Sequence, residues 1–576
     1  MNTHRFFKVS VAVILITAML SISPLSVLGS SLQLTVNAKT SEELRKVCNF
    51  TGINEQIEVG IFLNDLSDEE VATAFESQQV TRLDSLTVSK ESFSSKPTSD
   101  QINNTIANSR NLYKSLYNQH NQKIAEDLSI SSNIIYRSRY SPLIIASLTK
   151  SEINRLALTD KVTYIDTYSR DVKAESTSDN GNDFNIDLQI CRINEAKQAF
   201  DVDGSGVVIG IVDEGIPNET ELAGYSIPYI PSHMYGSYKS SHASYCANII
   251  NTIAPGSTLF FAGNPPAGGV VECVEWLLDQ EVMIISASIS AGIEANTYTM
   301  YSKWFDHISY HHAVIFVTAA GNNDVPNELQ GCRDMQMAYN VITVGSLNCK
   351  TTLTYSDDEL GIAHFNNTSV APFKPDISTS CGDTSGSTAL MTGSIALLLE
   401  TDTSLRMYSE TIKALLAASV NQSSPHKYCT SDRTESRASF MQVGAGLLDV
   451  YRFLYNGIQE KYYNNTISNS INEDTIYFAP NCDIRLAFAY VQPVTISSID
   501  HSFEESTVQG DIVDYAIYIR KQDEIAPITY SNTSNNLEIV EFNSGTGGYF
   551  TIKIVPVYAT TSTVFYSVAT NVEPAT

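Results

Sequence analysis

The chain has 576 residues, 43% hydrophobic and 17% charged, enough for several domains and a large buried core. Its formal net charge of −27 argues against nucleic acid or an anionic membrane as a partner. Nine cysteines show no CxxC or His/Cys cluster of zinc-ligand spacing, and their odd number and irregular spacing allow one or two disulfides at most beside free buried thiols.

Residues 1–29 read as a secretory signal: Arg5 and Lys8 precede an apolar run over 9–20 that is short for a bilayer, and Val27-Leu28-Gly29 offers a cleavage position. No later stretch is long and apolar enough for a membrane helix, and no anchor pattern is visible at the C-terminus. Residues 30–175 form a first unit. A strand at 57–63 leads into a capping box of Ser67 and Glu70. A polar region over 97–128 has helical character. A strand at 142–148 meets a second capping box, Thr149 with Glu152, and a short helix turns Ile153, Leu156 and Ala157 inward before a strand at 162–165. Strands and helices in this order predict a compact α+β module. Residues 168–187, rich in Ser, Asp and Asn, read as an exposed linker.

A glycine-bounded β-branched run over 204–215 predicts a buried parallel strand with Asp213 at its C-terminal end, the edge where open α/β sheets gather reactive groups. The preceding Asp201-Val202-Asp203-Gly204 faintly resembles a calcium loop but lacks the rest of a ligand series and reads rather as a plain turn. A helix opens at Ser241 with His242 at its start. A strand at 258–262, a helix at 274–279 and a strand at 282–287 lead to Ser288-Ile289-Ser290, and a strand at 313–318 leads to Ala319-Ala320-Gly321-Asn322. Such alternation predicts a doubly wound, mostly parallel sheet. The small polar stretch from Gly382 to Gly393 runs into an apolar segment, so a loop delivers Ser385 to the start of a buried helix. Free N–H groups there suit an oxyanion, although the same pattern marks any capped core helix. Residues 465–576 are rich in Tyr, Val, Ile and Thr with Asn/Ser/Gly turns and read as all-β; their clearest strands lie at 485–490, 514–519 and 547–554, with 535–540 between the last two.

Asp213, His242, Asn322 and Ser385 taken together resemble the motifs of the subtilisin-like serine peptidases, in that family's order of Asp, His and Ser. Residues 208–215 match the aspartate motif, Ser241-His242-Ala243-Ser244 stands where the family writes H-G-T, Ala320-Gly321-Asn322 matches the oxyanion asparagine, and Thr384-Ser385 with Gly393 matches the serine motif. The resemblance spans roughly residues 186–455. It implies a catalytic domain over 176–460, an α+β prodomain over 30–175 after the signal at 1–29, and a jelly-roll-like β-sandwich over 465–576. It implies a secreted endopeptidase made as an autoprocessed zymogen and cut somewhere in 166–186. Ser385 is then the nucleophile, His242 the base, Asp213 its orienting carboxylate and Asn322 an oxyanion donor. Ser288, Ile289, Ser290, Ala319, Ala320 and Gly321 would wall the specificity pocket. Partners are protein or peptide substrates and the chain's own prodomain as an intramolecular inhibitor. No cofactor is required for the chemistry; structural calcium is an expectation without assigned residues.

The chain departs from the family pattern at Glu214, Ala243, Ala389 and Asp383, the last being expected to narrow substrate access or slow the chemistry. These departures motivate a runner-up reading, a catalytically impaired subtilase-fold protein that acts as a binding or regulatory partner. Cys246, one helical turn after His242, stands where thiol-containing members carry a cysteine beneath the histidine, and also suits a small buried core position.

Overall fold

The structure is a computed structural model that describes residues 32–83, 98–170, 173–174, 184–222, 231–263, 268–290, 295–322, 331–365, 372–428, 442–493, 513–533, 535–558 and 563–574. The signal-like segment at 1–29 and most of the linker beyond Ala174 lie outside these residues.

The first unit contains α1 (Glu42–Phe50), β1 (Gln56–Leu63), α2 (Asp68–Gln78), α3 (Ser99–Asp127), β2 (Ile134–Arg137), β3 (Leu143–Thr149), α4 (Lys150–Ala157) and β4 (Val162–Thr167). Both expected capping boxes form, at Ser67/Glu70 and Thr149/Glu152, and a third at Thr98/Gln101 starts α3. The strands make a four-stranded antiparallel sheet in the order β2-β3-β1-β4. Side chains alternate across a strand, so this sheet has two apolar faces with different partners. Val59, Ile61 and Leu63 join Ile144, Ala146 and Leu148 in the unit's own core with α4. Phe62, Leu143 and Ile145 instead join a core with Val270, Val274, Met300 and Trp304 of the central domain.

Polar contacts reinforce that second face. Glu275, fully buried, accepts hydrogen bonds from Tyr136 Oη, Ser138 Oγ and the Arg139 backbone. Asp279 binds Arg139 Nη1 at 2.7 Å and the Tyr140 hydroxyl at 2.5 Å. Arg110 donates to the carbonyls of Val282, His312 and Ala313. The two-residue strand β5 (Lys173–Ala174) then leads toward the central domain.

In the central domain α5 (Phe184–Ile190) and α6 (Ile193–Phe200) precede β6 (Val208–Asp213), β7 (Ile216–Pro217), β8 (Met234–Tyr235), β9 (Lys239–Ser240), α7 (Ser241–Ile253), β10 (Thr258–Gly263) and α8 (Gly269–Asp279). There follow β11 (Ile284–Ala287), β12 (Ile289–Ser290), α9 (Met300–His312), β13 (Ile315–Ala319), β14 (Ile342–Asn348), β15 (Glu359–Leu360), β16 (Ile377–Thr379), α10 (Thr384–Thr401), α11 (Ser409–Ala418) and α12 (Val450–Ile458). The main sheet runs β15-β14-β13-β11-β6-β10-β8 with β16 on β14, and every pair but β14–β15 is parallel. Asp203 and Ser205 hold the turn before β6, and Glu400 accepts from the Asp203 and Gly204 amides, which is ordinary turn chemistry. α10 is buried from Thr384 to Leu399, which explains why its small polar and apolar residues form no amphipathic stripe.

The C-terminal part is two four-stranded antiparallel sheets. One contains β17 (Tyr462–Ile467), β19 (Cys482–Tyr490), β22 (Leu537–Asn543) and β24 (Val564–Pro574), and the other β18 (Asn472–Phe478), β20 (Asp514–Lys521), β21 (Thr529–Ser531) and β23 (Gly548–Tyr558). Their inner faces share one core of aromatic and branched side chains. The outer face of the first sheet rests on α11, and Arg485, 2% exposed, donates to the carbonyls of Ala417, Tyr428 and Ala445. The eight cysteines among the described residues are all free and buried; Cys429 lies outside them.

Candidate active site

The strand β6 ends at Asp213, 1% exposed, opposite Gly263 of β10. Across from it, extended backbone at Ser240 (φ −128°, ψ 126°) stops β9 and starts α7, and the Ser240 hydroxyl accepts from the amides of His242 and Ala243. That hydroxyl in turn donates to Glu214 Oε1 at 3.0 Å. Glu214, a departure from the family pattern, thus braces the cap that aims the histidine. The His242 ring places Nδ1 2.8 Å and 3.0 Å from the two oxygens of Asp213 and Nε2 2.9 Å from Ser385 Oγ. The three side chains form one unbroken chain of contacts.

The serine owes its place to α10. Asp383 is the N-cap: its Oδ1 accepts from the Gly386 amide at 2.6 Å and its Oδ2 from the Tyr245 hydroxyl at 3.2 Å. With 4% exposure the carboxylate is turned inward, so it does not narrow the mouth of the site as its sequence position suggested. Burial raises its pKa, while the bonds from the Gly386 amide and the Tyr245 hydroxyl and the nearby His242 oppose the rise. Close packing of α7 against α10 requires a glycine at 393, where an added Cβ would meet Ile253 Cβ at 2.8 Å. Both helix N-termini, with their free N–H groups and positive ends, therefore converge on the Ser385 hydroxyl.

Asn322 follows β13, and its Oδ1 accepts from the Thr384 amide and hydroxyl, both at 2.9 Å. This anchors the carboxamide and turns its NH2 group away from Thr384. Gly321 beside it has φ +94°, and the His364 ring fills the space a Cβ would take, with Nδ1 at 2.4 Å from that position. Ser288, Ile289, Ala319 and Ala320 are buried and Ser290 is 8% exposed. The Ser288 hydroxyl donates to the Ser385 carbonyl at 3.4 Å. β12 pairs antiparallel with β5, Ile289 opposite Ala174 and Ser290 opposite Lys173, so the chain's own linker lies along this wall.

Burial disfavours the imidazolium of His242, but the Asp213 hydrogen bond and charge, with Glu214 and Asp383 adding to them, outweigh it, and its pKa stands above the ordinary 6.5. Cys246 lies beneath the ring, with its sulfur within 4.8 Å of ligand atoms of Asp213 and His242. Burial, then the Asp213 charge, pushes its thiol well up, so it is a neutral thiol at ordinary pH. Tyr245 and His364 are the neighbours that sequence reading misses. Tyr245 had a signal, its position three residues after His242 on one helix; isolated His364 had none.

The arrangement couples a hydroxyl to a base and the base to a buried carboxylate, the minimum for nucleophilic acyl transfer. Residues 204–446 match the profile of the Subtilase family. Among solved structures the chain is similar to the epidermin leader peptide processing serine protease (EpiP) from Staphylococcus aureus, at 13% identity over 70% of this chain and 98% of that one, TM-score 0.38. It is also similar to MycP1 from the ESX-1 type VII secretion system, at 18% identity over 50% and 90% of the two chains, TM-score 0.35. For MycP1 from Mycobacterium smegmatis the figures are 17% identity, 50%, 89% and a TM-score of 0.33. No curated protein matches the chain.

Proposed function

From the premise that this chain belongs to the Subtilase family of serine peptidases, through its residues 204–446, we propose that it is a secreted endopeptidase made as a self-processing zymogen. The observation that carries the peptidase reading is the unbroken contact from Asp213 through His242 to Ser385. Ser385 Oγ attacks a peptide carbonyl as His242 Nε2 takes its proton, and the same nitrogen then protonates the leaving amine. Asp213 holds the proton on Nδ1 and stabilises the imidazolium. The oxyanion is held by the NH2 group of Asn322 and by the Ser385 amide. A water molecule, activated by His242, hydrolyses the acyl-enzyme.

Two observations support the zymogen reading. The sheet of the first unit buries its second face on α8 and α9, as a tightly held inhibitor would. Its continuation, Lys173–Ala174, is strand-paired with Ile289–Ser290 in the direction a substrate would take. The bond cut in processing then lies C-terminal to Ala174, within residues 175–186; of these, 175–183 lie outside the described residues. Export rests on the signal-like residues 1–29. The β-sandwich serves stability, a role supported by Arg485 binding three carbonyls of the central domain.

The test is labelling of the purified, processed protein with a fluorophosphonate. Labelling that disappears in Ser385→Ala supports the peptidase; absence of labelling in the processed wild type favours the impaired, binding reading. Mass spectrometry of the mature N-terminus checks the zymogen. A Ser385→Ala protein still cut when made alone refutes self-processing, and a mature chain that begins at or before Ala174 refutes the register.

A further inference from the structure

The face that α9 turns toward the first unit carries histidines. His307 and His311 are one helical turn apart, and their ring centroids lie 4.4 Å from each other. Asp65, in the turn between β1 and α2, reaches the same point from the first unit. One nitrogen of each ring and one oxygen of Asp65 all lie within 4.8 Å of one another. The Asp65 Oδ1 atom is occupied, accepting from the Tyr117 hydroxyl at 2.8 Å and the Leu66 amide at 2.7 Å. Its Oδ2 faces His307 Nδ1 at 3.8 Å, too far for a hydrogen bond. His307 is completely buried, and neither of its ring nitrogens makes a hydrogen bond. A buried imidazole left in that condition costs stability unless something completes it.

We infer that Asp65, His307 and His311 form a binding site for one divalent transition-metal ion, of the zinc or cobalt kind, that ties the first unit to the central domain. Two imidazoles and a carboxylate suit borderline metals, whereas calcium asks for six or more oxygens. Ligand atoms around a tetrahedral zinc ion lie about 3.3 Å apart, so a separation of 3.8 Å closes with a small rotation of either side chain. Tyr117 and the Leu66 amide, both on Oδ1, orient the carboxylate in the way outer partners of metal ligands do. A cavity of about 450 Å³, lined by Asp65, Ser309, Tyr310 and His311 among others, adjoins the cluster and gives the ion an entry path and a water ligand. The similar trio Asp213, His242 and Cys246 lacks the opening for this, because both nitrogens of His242 are already bonded.

The inference does not depend on the peptidase reading, and its test is made on untagged full-length Ser385→Ala protein, so that a failure of one is not a failure of the other. Equilibrium dialysis against Zn2+ is expected to give one bound ion per chain, and Co2+ is expected to give a visible absorption band of four- or five-coordinate intensity. Asp65→Asn keeps an acceptor for Tyr117 and Leu66 but removes the anionic ligand. It should weaken binding at least about tenfold, the scale on which even outer partners of metal ligands act. His311→Ala, at a position only partly buried, should abolish stoichiometric uptake and the cobalt band. No ion retained by the parent protein, or equal affinity in both variants, overturns the assignment; the latter result would move the ion to another site.

Discussion

Two buried histidines in this molecule face an aspartate across an element boundary. His242 meets Asp213 at 2.8 Å and Ser385 at 2.9 Å, so each nitrogen of the ring has a defined task. His307 stands 3.8 Å from Asp65, and neither nitrogen makes a hydrogen bond. Residue type is alike at the two places, although Asp213 is buried and Asp65 is only partly so. What differs is who completes the ring: at the active site, groups of one domain arranged by the starts of two helices; at the interface, a carboxylate from a different unit that leaves space for a third participant. A buried histidine is therefore informative only together with the valences left on both nitrogens.

The contrast is sharpest where the ring itself is removed. His242→Ala should lower kcat on a peptide substrate by about 10⁶-fold, since the triad acts as a unit. A loss below about 10²-fold, the smallest contribution usual for a general acid–base group, would break the comparison by showing that His242 does no proton transfer. Asp213→Asn should cost about 10⁴-fold in kcat with the fold intact, because the ring loses its tautomer; steady-state kinetics alongside circular dichroism separates this from unfolding. Asn322→Ala should cost about 10²–10³-fold in kcat with little change in KM, as expected for a donor used at the oxyanion.

The smallest effect is a shift rather than a loss. His242 must be neutral to accept a proton, so its raised pKa puts the acid limb of kcat/KM above pH 6.5. Asp383→Asn keeps a good N-cap but removes one of the negative charges that hold the imidazolium. The limb should move to lower pH, and a limb that stays in place shows that the Asp383 charge does not reach the base.

Much of the catalytic corner was legible because its signals are local. A glycine-bounded strand ending in Asp213, a buried strand followed by Gly321-Asn322, and small polar residues opening α7 and α10 declare themselves within a few positions. The helix α9 was not legible. Lys303, Asp306, His307 and His312 are all buried in it, so no apolar stripe of period 3.6 exists to be read. Lys303, His307 and His312 find their places only against the first unit, and Asp306 against other segments of its own domain. Lys303 sits 3.4 Å from the centroid of the Tyr164 ring, and Asp306 accepts from the Tyr298 hydroxyl and the Tyr339 and Asn340 amides. β2 was missed for a related reason, being four residues of intermediate burial without alternation. Asp383 was misjudged because a carboxylate before a nucleophile looks like an obstacle until its bond to the Gly386 amide is seen. The pairing of β5 with β12 joins residues more than a hundred positions apart, which no local pattern encodes.

Gly393 sits about 12 Å along α10 from Ser385, at 1.5 Å per residue, and it touches Ile253 at the far end of α7. The two helices behave as a pair of calipers whose jaws are His242 and Ser385 and whose pivot is that contact. The gap at the jaws is therefore gauged by a side chain that is missing at the pivot. A single methyl group added there would spread a hydrogen bond about two turns away without touching any reacting atom.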